Sequence, residues 1–258
     1  MQFRPCIDIH DGKVKQIVGG SLGKKDRADE NFVSEQDAAF FAAFYREKRL
    51  RGGNVILLNG SEHPLYEKTK AQAMMALREY PGGLQAGGGI TDRNAEEFLE
   101  AGASHVIVTS YVFREGRIDY ERLEHLVKAV GRDRIVLDLS CRKKDGEYYI
   151  VTDRWQKYTD TVLDLELLET LEGSCDEYLI HAVDVEGKAS GIEEGVVKLL
   201  GTYGGRPVTY AGGVHDYHDL EILKTVGKGR VNVTIGSALE LFGGSMNLDR
   251  VMELCACS

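Results

Sequence analysis

Two aspartates stand at similar places in the chain, each at the end of a short apolar run. Asp8 ends the tripeptide Cys-Ile-Asp, and Asp138 ends the tripeptide Val-Leu-Asp. A lone aspartate after a strand is most often a helix cap or a turn residue. A matched pair that faces across one pocket suits a general acid and a general base that act on opposite faces of a substrate. We therefore interpret Asp8 and Asp138 as catalytic, with Glu186 as a further carboxylate at the same end of the molecule.

Glycine-rich turns are the second feature with chemical meaning. Successive backbone N–H groups in such a turn, followed by a helix N-terminus, form a nest for an anion. Each of two turns is matched by a small residue at the end of the next apolar run. The first predicted phosphate site comprises Gly88, Gly89, Thr109 and Ser110, and the second comprises Gly212, Gly213, Gly236 and Ser237. Two such sites predict a small-molecule ligand with two phosphates.

Predicted strands and helices that could position these residues alternate along the whole chain. Eight short apolar runs without clean alternation indicate parallel strands buried on both faces. The predicted strands are residues 4–9, 54–58, 83–86, 105–109, 134–139, 177–181, 207–210 and 231–235. The predicted helices are residues 35–51, 66–80, 95–101, 120–130, 162–171, 192–203, 218–226 and 248–254. Eight such units predict an α/β fold, a closed (β/α)8 TIM barrel with its active site at the carboxyl ends of the strands.

The two halves of the chain repeat one another. The aspartates, the glycine turns and the small residues at the ends of the fourth and eighth strands recur at spacings of about 124–130 residues. We expect one domain over residues 1–258, built from two similar (β/α)4 halves at about 1–130 and 131–258.

Composition narrows the classes of function. The chain has 258 residues and a formal net charge of −9 without a basic stripe, so nucleic acid is not an expected partner. No apolar run reaches the ~18 residues of a membrane span. Five scattered cysteines indicate reduced thiols in a cytoplasmic protein, and no cluster accompanies Cys255 and Cys257 to form a metal site. We expect a monomer that holds its phosphates with local donors, since the net charge repels anions.

Two segments lie outside the repeating pattern. Residues 21–33 follow the first strand and residues 143–161 follow the fifth, where residues 146–152 are patterned like a small extra strand. Both segments would lie over the mouth of the barrel, and we expect lids there rather than solvated loops. Trp155, the only tryptophan, is on the second segment.

Several motifs resemble the barrels of histidine biosynthesis, and the likeness runs from Arg4 to about Phe242. The motifs are Pro5-Cys6-Ile7-Asp8-Ile9, Asp11-Gly12-Lys13-Val14, Gly87-Gly88-Gly89-Ile90 and Gly236-Ser237-Ala238-Leu239. These barrels are the isomerases of phosphoribosylformimino-aminoimidazole-carboxamide ribotide (ProFAR) and their cyclase relatives. Residues 181–187 and 108–110 look most like the eukaryotic-type branch of the isomerase.

The resemblance implies an aldose–ketose isomerase, an intramolecular oxidoreductase, that performs an Amadori rearrangement of ProFAR without a cofactor or metal. It implies Asp8 as the base, Asp138 as the acid, and Trp155 stacking on the imidazole of the substrate. Relatives carry Asp-Gly where this chain has Glu186 and Gly187, so the acid is open between Asp138 and Glu186.

Three rival functions are weighed against this one. The cyclase should keep a lysine eight residues after the first catalytic aspartate, where this chain has Gln16. A ribulose-phosphate epimerase needs a metal-binding histidine pair at strand ends. His10 and His181 are present, but no second strand-end pair completes a metal set. A non-catalytic barrel that binds a phosphoribosyl compound would not need two ionisable aspartates.

Overall fold

The computed structural model describes residues 1–17, 30–153, 155–186, 188 and 190–256. Eight parallel strands form a barrel in the order of the chain. They are β1 (Cys6–His10), β2 (Gly53–Leu57), β3 (Leu84–Gly87), β4 (Val106–Val108), β5 (Ile135–Asp138), β6 (Glu177–His181), β7 (Val208–Ala211) and β8 (Val231–Thr234). The sheet closes on itself because Phe3, just before β1, pairs in parallel with Val233 of β8. The predicted (β/α)8 barrel is confirmed.

One helix follows each strand of the barrel. The helices are α1 (Ala38–Glu47), α2 (Tyr66–Glu79), α3 (Ala95–Glu100), α4 (Tyr120–Val130), α5 (Leu165–Leu171), α6 (Glu194–Thr202), α7 (Tyr217–Val226) and α8 (Leu248–Ala256). Four of them begin where an aspartate accepts a hydrogen bond from a backbone amide of the first turn, at Asp37, Asp119, Asp164 and Asp216. Within the described ranges, no helix is both long enough and apolar enough to cross a bilayer.

The interior of the barrel is packed with side chains. Apolar residues from four successive strands, β4 to β7, form a cluster inside the sheet that includes Ile107, Val136 and Leu179. Below them, near the amino ends of the strands, Arg4 pairs with Glu177. The strands bury their other faces against the helices in one large apolar core. Because the interior is filled, strand-end residues can meet a ligand only at the mouth.

Additional antiparallel strands border the mouth. Lys13–Ile17 pairs with β1 and with Glu30–Val33. After β5, a separate three-stranded sheet consists of Cys141–Lys144, Glu147–Thr152 and Lys157–Val162. The small strand predicted at residues 146–152 is confirmed.

Two details of the sequence prediction are wrong near this sheet. The predicted helix at 162–171 starts too early, because Val162 pairs with Tyr149 in the sheet and α5 begins at Leu165. The flanking strands were missed because their residues are mostly polar and exposed. Residues 21–29 of the first predicted lid lie outside the described residues, so that lid stays a prediction.

Candidate active site

The topology brings three chemical groups to the same end of the barrel. Asp8 lies near the carboxyl end of β1, Asp138 ends β5, and His181 ends β6. In an eight-stranded barrel β1 and β5 are four strands apart, so their carboxyl ends face each other across the mouth. The structure therefore places the two predicted catalytic aspartates on opposite walls, with His181 beside Asp138.

Asp8 is partly buried and lies near a second carboxylate, Glu186. Gln16, on the strand that folds back over β1, donates a hydrogen bond from Nε2 to Asp8 Oδ2 at 3.3 Å. Burial and the nearby charge of Glu186 raise the pKa of Asp8 to about 7, against the opposing effects of His181 and Gln16. A carboxylate whose pKa is near neutral can both take and return a proton at physiological pH.

Asp138 accepts hydrogen bonds at both carboxylate oxygens. The Ser140 hydroxyl donates to Oδ1 at 2.7 Å, and the Thr109 hydroxyl donates to Oδ2 at 3.1 Å. Trp155 in turn donates from its indole Nε1 to the Ser140 oxygen at 3.0 Å. The Thr109 hydroxyl is thus bonded to the Asp138 carboxylate, and its predicted contact with a phosphate stays a prediction.

His181 is a candidate functional residue to which the sequence analysis assigned no role in the isomerase. Its side chain is 15% exposed, and its Nδ1 lies 3.7 Å from Asp138 Oδ1, an ion-pair distance. Burial alone would lower the pKa of His181, but the contact with Asp138 and the charges of Glu186 and Asp8 outweigh it and raise that pKa to about 9. The neighbouring carboxylates therefore favour the charged form of the ring. The sequence did indicate this residue, because His181 is the last residue of a predicted strand and active sites of barrels lie at the carboxyl ends of the strands.

Glu186 lies in the turn after β6, near Asp8 and His181. Burial raises its pKa, and the nearby His181 opposes that effect. Gly187, the next predicted site residue, lies outside the described residues.

Two cavities open at this end of the barrel, and both are lined by Asp8, His181 and Glu186. Their volumes, about 340 and 560 Å³, fall in the range of small-ligand sites, roughly 300–1,000 Å³. We call them the Ser237 cavity and the Trp155 cavity. The Trp155 cavity is also lined by Gly88, Gly89, Thr109, Ser110, Asp138 and Trp155. The Ser237 cavity is also lined by Gly212, Gly213, Gly236 and Ser237. Each predicted phosphate site thus has its own cavity.

The glycines in these turns are needed for different reasons. Gly88 has φ +98°, and a Cβ there would lie 2.0 Å from the Leu57 carbonyl oxygen. Gly213 has φ +77°, and its Cβ would lie 2.1 Å from the Gly191 carbonyl oxygen. Both therefore permit close backbone packing. Gly89, at φ +72°, has no atom within 4 Å of that position, so it is the glycine that leaves open space in its turn.

A possible metal-ligand group borders the Ser237 cavity. Ligand atoms of His215, Asp216 and Asp219 lie within 4.8 Å of one another. Asp216 already caps α7, however, and Asp219 accepts a hydrogen bond from the His215 backbone at 2.9 Å. These hydrogen bonds explain why the three side chains lie close together, since they stabilise the start of α7.

Comparison with known proteins finds one matching family and several relatives that carry the same name. The profile of a family described as "Histidine biosynthesis protein" matches residues 2–246. Several relatives carry the name 1-(5-phosphoribosyl)-5-((5-phosphoribosylamino)methylideneamino) imidazole-4-carboxamide isomerase. The chloroplastic one of Medicago truncatula is 54% identical, over 95% of this chain and 79% of its own. The one of Neurospora crassa is 45% identical over 94% and 93%, and that of Saccharomyces cerevisiae is 41% identical over 98% and 97%.

Proposed function

The chain belongs to the histidine biosynthesis protein family, and from this membership we propose that it is a ProFAR isomerase. In this reaction the aminoaldose ProFAR becomes the corresponding aminoketose by an Amadori rearrangement. The enzyme is then an intramolecular oxidoreductase, because one carbon of the ribose is reduced while its neighbour is oxidised. The observation that carries the proposal is the pair of glycine-lined cavities that share one set of ionisable groups.

The cavities suit the two ends of this substrate. Each end of ProFAR carries a phosphoribosyl group, so one phosphate would lie at Gly88 and Gly89 and the other at Gly212 and Gly213. Backbone N–H groups in these turns supply the donors that a chain of net charge −9 needs to hold anions. The reacting ribose then lies between the phosphates, beside the shared ionisable groups.

The chemistry needs only proton transfers. Protonation of the ribose ring oxygen opens the ring to a Schiff base. A base then removes the C2 proton, and the enolamine collapses to the ketose. Asp8 is the base, and the wall formed by Asp138, His181 and Glu186 supplies the proton. No hydride or external nucleophile takes part, so the reaction requires no cofactor.

The contacts of Gln16 separate this function from that of the cyclase. Its amide donates to Asp8 and to the Cys6 sulfur, at 3.3 and 3.7 Å. An amide at this position cannot carry the positive charge of the lysine that a cyclase resemblance implies.

One assay tests the function. The purified chain is incubated with ProFAR, with and without ammonia, and the absorbance change is followed. We expect conversion to the aminoketose in both cases, and the same rate after treatment with EDTA. Ammonia-dependent consumption of the ketose would indicate a cyclase. Tight binding without turnover would indicate a non-catalytic barrel, and a rate restored only by a divalent cation would favour an epimerase.

A further inference from the structure

We propose that Gln16 is a positioning residue for the base: its side-chain amide holds one oxygen of the Asp8 carboxylate and leaves the other oxygen to take the substrate proton. The inference deepens the proposed isomerase function and rests on it. Its basis is a buried amide in the site, since Gln16 is only 4% exposed and lines the Ser237 cavity together with Asp8. A buried amide is costly unless its polar atoms have partners, so the contacts that it makes are informative.

The backbone of Gln16 is held from two sides. Its strand, Lys13–Ile17, pairs with β1 on one side and with Glu30–Val33 on the other. Side chains two residues apart point to the same face of a strand, and Val14, on the same face as Gln16, is fully buried. The strand therefore fixes the point from which the Gln16 side chain approaches Asp8.

Both hydrogens of the Gln16 amide have acceptors. Nε2 donates to Asp8 Oδ2 at 3.3 Å and to the Cys6 sulfur at 3.7 Å. Burial raises the pKa of the Cys6 thiol, which keeps its proton and donates it to the Ile235 carbonyl oxygen at 3.7 Å. The sulfur therefore accepts from Gln16, and the amide nitrogen rather than the amide oxygen faces Asp8.

Gln16 contacts Asp8 from the side of the Ser237 cavity. Asp8 lines both cavities, whereas Gln16 lines the Ser237 cavity and not the Trp155 cavity. With Oδ2 held by the amide, Oδ1 is the oxygen that remains to take the C2 proton. A restrained carboxylate meets the reacting carbon in one geometry, and a displacement of about 1 Å can cost roughly 10²-fold in rate.

Gly236 gives independent evidence for this placement. A Cβ at Gly236 would lie 2.1 Å from Gln16 Oε1 and 3.2 Å from Gln16 Cδ. The φ angle of Gly236 is not positive, so its backbone would accept another residue, and the Gln16 side chain is the nearest obstacle. The Gln16 amide thus lies between the base and one of the predicted phosphate turns.

A Gln16→Met variant tests the role, because methionine keeps an unbranched side chain but has no hydrogen to donate. We expect kcat for ProFAR to fall at least roughly 10-fold, while the Kd of the aminoketose product changes little. The acidic limb of kcat/KM should move to higher pH. Burial and the charge of Glu186 raise the pKa of Asp8 to about 7, and the Gln16 hydrogen bond opposes them, so its loss raises that pKa further. A residue that merely filled space would not move the limb.

Gln85→Met is the matched control. Gln85 is also 4% exposed and also donates to a buried carboxylate, that of Glu177, but it does so near the amino ends of the strands. This variant should leave the acidic limb in place. A folded Gln16→Met protein with the kcat and the acidic limb of the wild type would overturn the positioning role and leave the isomerase function standing.

Gly236→Ala reaches the same contact from the other side, because its methyl group would displace the Gln16 amide from Asp8. This variant should also move the acidic limb to higher pH. In the Gln16→Met background it should produce no further shift, as expected of two changes that act through one contact. Shifts that add in the double variant would overturn the placement of Gln16 between Gly236 and Asp8.

Carboxyl ¹³C NMR of Asp8 measures the effect without substrate. Asp8 should titrate at higher pH in Gln16→Met than in the wild type. An Asp8 carboxyl that titrates alike in both proteins would overturn the contact with Gln16. A wild-type chain that leaves ProFAR unchanged would instead overturn the proposed function, even where the two titrations differ.

Discussion

The indole Nε1 of Trp155 donates a hydrogen bond to the Ser140 hydroxyl at 3.0 Å. The bond joins the only tryptophan of the chain to the residue that holds Asp138. The Trp155 ring also lies 5.6 Å from the His181 ring, centroid to centroid, at an angle of 43°. The Trp155 side chain thus contacts both Ser140, which binds Asp138, and His181. The sequence analysis predicts that the same side chain also stacks on the substrate.

Binding of the product should change the intrinsic fluorescence of Trp155, because this residue lines the cavity that receives the ligand. A titration with the aminoketose measures the change and gives Kd. Trp155→Phe keeps an aromatic ring but removes the donor to Ser140, so we expect a lower kcat with a smaller effect on Kd. An emission spectrum that stays constant at saturating product would place the ligand elsewhere.

Asp8→Asn should lower kcat by at least roughly 10²-fold, because an amide cannot accept the C2 proton. The variant should remain folded and should still bind the product, since the phosphate turns are unaltered. Steady-state kinetics and isothermal titration calorimetry measure the two effects. Near-normal turnover would refute the assignment of Asp8 as the base.

Glu186→Gln should move the acidic limb of the pH profile to lower pH. Burial and the charge of Glu186 raise the pKa of Asp8 to about 7, so removal of that charge lowers the pKa. Asp8 acts in its deprotonated form, and the variant should therefore keep more of its activity below pH 7. The substrate phosphates titrate equally with both proteins and cancel in the comparison.

Glu186→Asp, which keeps the charge, serves as the control for this shift. A limb that stays in place in Glu186→Gln would mean that another group sets the acidic side of the profile. If Glu186→Gln instead loses all turnover at every pH, Glu186 rather than Asp138 is the general acid.

Gly89→Ala should weaken binding at the Trp155 cavity without disturbing the fold. Its Cβ would enter open space in the turn, where an anion is expected, and the left-handed backbone costs about 1–2 kcal/mol. Gly82→Ala is the matched control, because Gly82 has φ +69°, similar open space, and a place before β3 at the far end of the barrel.

Phosphate binding measured by calorimetry should fall in Gly89→Ala and stay unchanged in Gly82→Ala. Crystals soaked in phosphate should show two anions in the wild type, beside Ser110 and Ser237. One filled site at high phosphate would contradict the bisphosphorylated substrate.

The alternation of eight short apolar runs with eight helical stretches made the barrel predictable, whereas individual side-chain contacts could not be predicted. The strand predicted at residues 177–181 matches β6, and α4 matches residues 120–130, because both are bounded by clear changes of pattern. The pairing of His181 with Asp138 depends on the distance between two neighbouring strands, which residue types do not give. Likewise, the difference between Gly88 and Gly89 lies in what surrounds each Cβ position.

Asp138 and Trp155 line the Trp155 cavity but not the Ser237 cavity, so the two ends of the site are not equivalent. Two glycine turns of similar chemistry could in principle hold a ligand with two phosphates either way round. Only one arrangement puts a flat heterocycle against the indole. We expect a reversed ligand to leave the indole facing a sugar and to present the wrong ribose to the predicted catalytic pair, Asp8 and Asp138. We expect such an inverted complex to be bound yet unreactive, so that Trp155 would also select the productive binding mode.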